Sequence, residues 1–311
     1  MTANLDFAPV GNGLPAKTSA RLVVAIPTTG RPEIVLNTLK LMNNQKRLPD
    51  LMILSVAGAE DVDVTKLPQM PFPVRVVTGS KGASIQRNRA MAELNVRDIV
   101  VFLDDDFLMA PDYLAQVERI FSDHPDIAVL TGDVLADGIC GRGFDTATGA
   151  RLLAERDDGI RTHGMKDVYN AYGCNMSIRM GAVAQAKLGF DDHLPLYGWL
   201  EDLDFSRRLA AFGRIAQADD LKGVHLGTKT GRTTGTRVGY SQIANPIYLV
   251  RKGSMKAWRA QWIMCRNILS NLVKSLRPEP WIDRRGRLKG NLIAARDMVA
   301  GRLSPGRILD L

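Results

Sequence analysis

The sequence predicts an α/β fold: a mostly parallel central sheet flanked by helices, with a basic helical C-terminal extension. Three observations carry that prediction. Short apolar runs recur at 22–26, 52–56, 74–77 and 100–103, each the length of a buried strand. Stretches of helical spacing alternate with them over the first hundred residues, the pattern of a parallel sheet. The charge is also divided. Residues 231–311 hold 16 Lys and Arg against 4 Asp and Glu, whereas 1–230 hold 25 against 29.

Composition narrows the class. With 311 residues and 45% hydrophobic content the chain can bury one large core and carry an appendage. Cys140, Cys174 and Cys265 are odd in number and lack CxxC spacing, which fits a reducing compartment. The first twenty residues lack the basic and apolar regions of a signal peptide, and no apolar run reaches a membrane span. These features predict a cytoplasmic or peripheral protein. The basic tail leaves nucleic acid, an anionic membrane surface or an acidic substrate open as partners. Zinc-finger spacing and RNP-type aromatics are missing, which argues against nucleic acid.

In chain order, residues 1–20 read as a flexible lead-in. Leu22 to Ile26 is a strand ending at Pro27-Thr28-Thr29-Gly30-Arg31, and Pro32 with Glu33 opens a helix carrying Ile34, Val35, Leu39 and Met42. Strands follow at 52–56 and 74–77. The loop 79–84 then enters a helix whose start gathers Lys81, Arg87 and Arg89 near Gly82, a place where backbone N–H groups and the dipole favour an anion. The alternative is surface cations on an amphipathic helix.

The run Val100 to Leu103 delivers Asp104, Asp105 and Asp106 to the end of a strand. Three adjacent acids repel one another unless a cation or a set of donors offsets them. Asp104 and Asp106 point to one side of a strand and Asp105 to the other. Hard oxygen donors suit Mn2+ or Mg2+, which complete their shells with phosphate oxygens. The alternative is a solvated acidic turn. Because loops 27–33, 79–87 and 104–106 all follow strands of one parallel sheet, they should converge on one crevice.

These residues resemble glycosyltransferase family 2. The resemblance rests on Ile26-Pro27-Thr28 with Arg31, Gly82 with Arg87-Asn88, and Phe102-Leu103-Asp104 with Asp106. It continues through Tyr172 to Arg179 and Gly198 to Leu209, so it spans about 21–230. It implies a GT-A (Rossmann-like) catalytic domain over 21–230, with a nucleotide-sugar half about 21–110 and an acceptor half about 111–230. It further implies a nucleotide-sugar donor, a divalent metal and inversion at the anomeric carbon. On this resemblance Asp106 is the direct metal ligand and Asp104 faces the ribose or the metal. Pro27, Thr28, Thr29, Arg31, Glu33, Gly82, Arg87 and Asp105 line the nucleotide. Asp202 is the base, with Glu201 beside it, and Asn175, Trp199 and Glu201 lie toward the sugar or acceptor. Where the family carries a DNxSxD-like run for the base, this chain has Ser55 to Asp61, which leaves uridine and deoxythymidine both open.

Asp202 at a helix start is favoured as an anion by the dipole and disfavoured by Glu201 and Asp204. His225, 23 residues beyond it, stands where some family members place an imidazole third ligand; His124, His163 and His193 are assigned no role. Residues 229–237, rich in Gly, Thr and Arg, read either as a lid closing Arg232 or Arg237 on the diphosphate or as a linker. Residues 135–165 read as an insertion loop near the acceptor.

Residues 231–311 form a basic loop followed by amphipathic helices. Trp258, Trp262, Cys265, Leu269, Leu272, Val273 and Leu276 make one apolar stripe, and Leu288 to Val299 suggests a second helix. The stripe either packs on the catalytic domain or meets an anionic inner leaflet presenting a polyprenyl-diphosphate-linked saccharide acceptor. The expected activity is transfer of a sugar, with UDP-sugar the leading donor, during surface polysaccharide synthesis. A silent scaffold with the same fold is the competing class.

Overall fold

The computed structural model describes residues 20–231 and 233–311. Strand β1 (Leu22–Thr28) leads through Pro32, set at the first helical turn, into α1 (Pro32–Met42). Then come β2 (Leu51–Val56), β3 (Val74–Thr78), α2 (Ala83–Met91) and β4 (Ile99–Leu103). β2 and β3 are joined by two short 3-10 turns, so the strand–helix alternation of the sequence is interrupted there. β1 pairs in parallel with β2 and β4, and β2 with β3. Every side chain of β2 and β4 is buried, the pattern of strands covered on both faces.

Beyond β4 the sheet departs from the parallel pattern. β5 (Phe107–Met109), α3 (Tyr113–Asp123), β6 (Ile127–Asp137), α4 (Thr146–Arg156), β7 (Met165–Asp167), β8 (Asn175–Arg179), α5 (Met180–Ala186), α6 (Glu201–Leu209) and β9 (Arg214–His225) follow. The sheet order is β3-β2-β1-β4-β8-β6-β9-β5, with β7 on β9. β8 runs antiparallel to both β4 and β6, and β5 and β7 run antiparallel to β9. The parallel character therefore belongs to the first hundred residues, and the second half is mixed. Residues 135–165 are not a loop throughout: the Asp145 carboxylate accepts from the Thr148 amide and starts α4.

The sheet separates two apolar layers. One gathers Val24, Ile26, Leu54, Val101 and Leu103 with α1 and α3, and the other gathers Val23, Ala25, Phe102 and Ile178 with α2 and α6.

The C-terminal segment is a packed helical unit. α7 (Gly235–Lys252) starts on a Thr234 cap and stays helical across Pro246. α8 (Ala257–Lys274) and α9 (Arg284–Val299) lie on it. Their meeting point is a buried amide node, in which Asn271 donates to Gln242 and to Asn291. α7 and α9 touch backbone to backbone through Gly239 and Gly290. A Cβ on Gly239 would lie 2.0 Å from the Arg287 carbonyl, and one on Gly290 2.1 Å from that of Thr236. Gly239→Ala is expected to cost about 1–3 kcal/mol by forcing the two helices apart, read as a lowered urea midpoint; an unchanged midpoint would mean the crossing is loose.

The expected stripe on α8 is not the face that packs. Ala260 and Asn271 are buried and Ile263, Met264 and Ile268 are partly covered, whereas Trp258, Trp262, Leu269, Leu272, Val273 and Leu276 face outward. Sequence periodicity found the helix, but it carries apolar residues nearly all round, so the pattern could not say which side turns in. Among the described residues no helix is long and apolar enough to cross a membrane.

Candidate active site

The site lies where β1 and β4 end side by side, at the same edge as β2 and β3. Gln86 of α2 fixes this edge by donating to the carbonyls of Thr28 and Ser55. Asp61 gathers the adjoining loops. Its carboxylate accepts from the amides of Gly30, Ala57 and Gly58, so the acid after β2 supports the first loop from below.

The three acids of 104–106 form the turn between β4 and β5 and divide within it. Asp105 is buried and accepts from the Thr28 hydroxyl at 2.5 Å and from Arg31 Nη1 at 3.0 Å. Burial, together with the neighbouring acids, pushes Asp105 up to about 6 despite Arg31. Thr28, Arg31 and Asp105 thus hold one another. Thr28 and Asp105, expected to line the nucleotide, both have buried side chains that meet each other, and Asp105 lies in the turn that follows β4. Arg31 also donates to the Thr230 carbonyl at 2.8 Å, which ties the segment after β9 over this loop.

Asp104 and Asp106 face His225, which ends β9. His225 Nε2 is 3.4 Å from Asp106 and 3.9 Å from Asp104, and its Nδ1 is 2.9 Å from Asp137. Asp137 in turn accepts from the Tyr172 hydroxyl at 2.9 Å. Burial opposes charge on the imidazole, but the hydrogen bonds to Asp106 and Asp137 hold its pKa up at about 10. Burial would raise Asp106, yet His225, Arg31 and the Thr228 amide hold it well below the usual carboxylate range. One ligand atom from each of Asp104, Asp106 and His225 can be chosen so that all lie within 4.8 Å of one another. Two carboxylates and an imidazole suit Mn2+ or Mg2+, and the imidazole is already oriented by a carboxylate behind it, as metal-binding histidines usually are. A divalent cation binding there would exchange for the imidazolium proton. Asp137, at the end of β6, was not expected in the site; only its position as a carboxylate closing a strand could have pointed to it.

The second acidic group arrives on α6. Just before it Leu196, Gly198 and Leu200 all adopt positive φ, and Leu200 does so as the helix cap. For leucines this is costly backbone, a strain found where a chain must aim particular side chains. Asp202 Oδ2 accepts from the Gly173 amide at 3.0 Å, and its Oδ1 accepts from the Leu203 amide at 2.7 Å. Burial raises Asp202 above the ordinary carboxylate range against those two amides.

Arg87 joins the two acidic groups. It is buried, donates to Glu201, lies 3.4 Å from Asp104, and donates to the Gly173 carbonyl at 3.0 Å. Asp202 binds the amide of that same Gly173, and the Asp104 amide donates to the Cys174 carbonyl. The metal-type cluster and Asp202 are thus linked through Arg87 and Gly173-Cys174. Glu201, expected beside the acceptor, is buried against Arg87, and burial pushes it up to about 8. Replacing Arg87 by Met is expected to cost about 1–3 kcal/mol, because Glu201 and the Gly173 carbonyl lose a buried hydrogen-bond donor; the loss is read as a lowered urea midpoint, and an unchanged midpoint would show that Arg87 does not hold the two together.

Other expected residues fall differently. Asn175, expected toward the sugar, is fully buried and accepts from Thr131 and from the Gly132 amide, since strand β8 turns it into the sheet. Pro27, Thr29 and Trp199 are partly exposed, Glu33 is exposed on the first turn of α1, and Gly82 caps α2 with φ 148°. Arg237 is not on a lid. It sits in the first turn of α7, and its Nε donates to the Leu311 carbonyl. Arg232 lies outside the described residues, as do 1–19 of the lead-in. Asn88, not expected to act, clamps the chain before α6 by pairing with both backbone groups of Phe190 and donating to Asp192.

Comparisons with known proteins bear on the family and the fold. A family described as "Glycosyltransferase like family 2" matches residues 20–217. A glucosyl-dolichyl phosphate glucuronosyltransferase of Haloferax volcanii is 29% identical over 101 residues, a match that spans 32% of this chain and 32% of that protein. The chain thus spans about a third of the length of that curated relative. Among solved structures, S. aureus TarS 1–349 in complex with UDP-GlcNAc is similar with a TM-score of 0.56 at 13% identity, over 93% of this chain and 82% of that one. The mannosyltransferase PcManGT from Pyrobaculum calidifontis, in complex with GDP-Man and Mn2+, gives 0.52 at 13% identity, over 94% and 86%.

Proposed function

Because this chain belongs to the glycosyltransferase-like family 2 and has the GT-A fold of its structural neighbours, we propose that it transfers a sugar from a nucleotide-diphosphate donor to a saccharide hydroxyl, with inversion. One observation carries this reading: Asp104, Asp106 and His225 converge within a cation's reach, and Arg87 with Gly173 links them to Asp202.

In this reading Asp104, Asp106 and His225 hold Mn2+ or Mg2+, which neutralises charge on the diphosphate when bound. Asp202 takes the proton of the acceptor hydroxyl as its oxygen attacks the anomeric carbon from the side opposite the phosphate. The new C–O bond forms as the bond to the diphosphate oxygen breaks, and the nucleoside diphosphate leaves with that electron pair. The amides of Gly173 and Leu203 hold the Asp202 carboxylate in place, so its orientation is set before the acceptor arrives.

The donor in this reading is a UDP-sugar and the acceptor a saccharide on a polyprenyl diphosphate at the inner face of the cell membrane, within surface polysaccharide synthesis. Two relatives support a nucleotide-sugar donor, since TarS is described with UDP-GlcNAc and PcManGT with GDP-Man and Mn2+. The Haloferax volcanii relative is named for a glucosyl-dolichyl phosphate substrate, which supports a lipid-borne acceptor. The test is release of nucleoside diphosphate across UDP-, GDP- and dTDP-sugars with Mn2+ and with EDTA. Turnover with a UDP-sugar that stops in EDTA is the expected result. Turnover unaffected by EDTA would overturn the metal assignment, and turnover with GDP- or dTDP-sugars alone would overturn the uridine one.

A further inference from the structure

The outward face of α8 is an unusual surface for a helix packed on its own domain. Trp262 is 67% exposed, Leu269 61% and Leu276 80%, and Trp258, Leu272 and Val273 stand on the same side. At 100° per residue Trp258, Trp262, Leu269, Leu272 and Val273 fall within one face, opposite Ala260 and Asn271, which pack inward, and Leu276 follows just beyond the helix end. The helix cannot turn this face in, because Asn271 is fixed in the amide node with Gln242 and Asn291. An exposed apolar face of this extent marks a binding surface.

Its charge identifies the partner. No Asp or Glu occurs from Ala257 to Lys274. Arg266 borders the apolar face on one side and Arg277 stands in the segment just past the helix end, both exposed. The acids of the C-terminal segment are largely engaged elsewhere. Glu279 pairs with Lys274 and Arg284, Asp297 is buried beneath Arg302 and Tyr240, Asp283 caps α9, and Asp310 pairs with Arg307. The neighbouring α9 adds exposed Arg285, Lys289 and Arg296 around exposed Leu292 and Val299. A second copy of this chain would set one basic face against another, which like-charge repulsion opposes.

We propose that the outward face of α8 docks on an anionic lipid bilayer, lying in the plane of the interface. Trp258 and Trp262 enter the headgroup boundary, where tryptophan is favoured, the leucines and Val273 reach the acyl chains, and Arg266 and Arg277 meet lipid phosphates. The inference goes beyond the catalytic reading and stands independently of it, since it uses none of the residues of the active site.

Flotation of the full chain with vesicles tests it, comparing pure phosphatidylcholine with phosphatidylcholine containing phosphatidylglycerol. The protein should float with the anionic vesicles, bind the neutral ones far less, and dissociate in high salt. The Trp258→Glu/Trp262→Glu double variant should need at least about ten times more lipid for half-binding, and Arg266→Glu/Arg277→Glu should lose the preference for anionic lipid. Both pairs are exposed, and circular dichroism melts check that the variants fold. Equal binding to neutral vesicles, or binding unaffected by both pairs, would overturn the proposal. So would absence of binding together with a concentration-dependent oligomer that the tryptophan variant abolishes, which would make the face an interface between copies. Vesicle binding reads out without sugar transfer, so failure here is distinguishable from failure of the proposed reaction.

Discussion

Asp202→Asn is expected to lower the rate of sugar transfer by about 10²–10⁴-fold, the range for loss of a positioned general base, and to leave donor affinity nearly unchanged. Asparagine keeps the shape of the side chain and can still accept from the Gly173 and Leu203 amides, but it cannot take a proton. Turnover is followed by release of nucleoside diphosphate and donor affinity by calorimetry; retained turnover would remove Asp202 from the chemistry. The pH profile gives a second reading. Burial raises the Asp202 pKa above the usual carboxylate range, and a base works only when ionised. The rate should therefore fall as pH drops through that raised value, with its acid limb above the value of an exposed aspartate. Asp202→Asn should remove that limb.

Asp106→Asn is expected to show the opposite pattern. Asp106 is almost wholly buried, receives the Thr228 amide and faces His225. Losing its charge leaves the cation with Asp104 and His225 alone. Nucleotide binding that depends on Mn2+ should weaken by at least about 100-fold, judged against the 10–100-fold typical when only a supporting partner of a metal ligand is lost. Binding in EDTA should barely change. Calorimetry of UDP with Mn2+ and with EDTA separates these two; equal binding by the variant and the parent chain in Mn2+ would show that the cation is held elsewhere. Asp104 is more open, its side chain 36% exposed, and its loss should be milder.

Much of this was legible in the sequence, for reasons that can be named. The apolar runs of β1, β2 and β4 are covered on both faces, so they stand out as continuous hydrophobic stretches. Pro32 and Gly82 mark the entries of α1 and α2, and parallel pairing then puts their loops at one edge. Strand alternation was expected to part Asp104 and Asp106 from Asp105; they do part that way, but within a turn, and the pattern could not say what Asp105 would meet. Its partners, Thr28 and Arg31, lie more than seventy residues away. Separation in sequence also hid Asp137 behind His225, 88 residues away, and Asp61 beneath Gly30, 31 residues away. Helix α7 was not singled out from the basic loop, since its entry is Gly- and Thr-rich and Pro246 lies inside it. Packing against α8 and α9 overrides that local preference. The residues beside Asp202 misled through proximity. Glu201 is next to it in sequence, yet helix geometry turns it inward to Arg87 while Asp202 meets Gly173.

The central claim is that carboxylates from β4 and an imidazole from β9 grip one cation beside the base on α6. Anomalous diffraction from crystals grown with Mn2+ and UDP tests it most directly. The account predicts a manganese peak bonded to Asp106 and His225, with the diphosphate on its open side and Asp202 facing the same cavity. Manganese bound at other residues, or a diphosphate on a face that Asp202 does not reach, would contradict it.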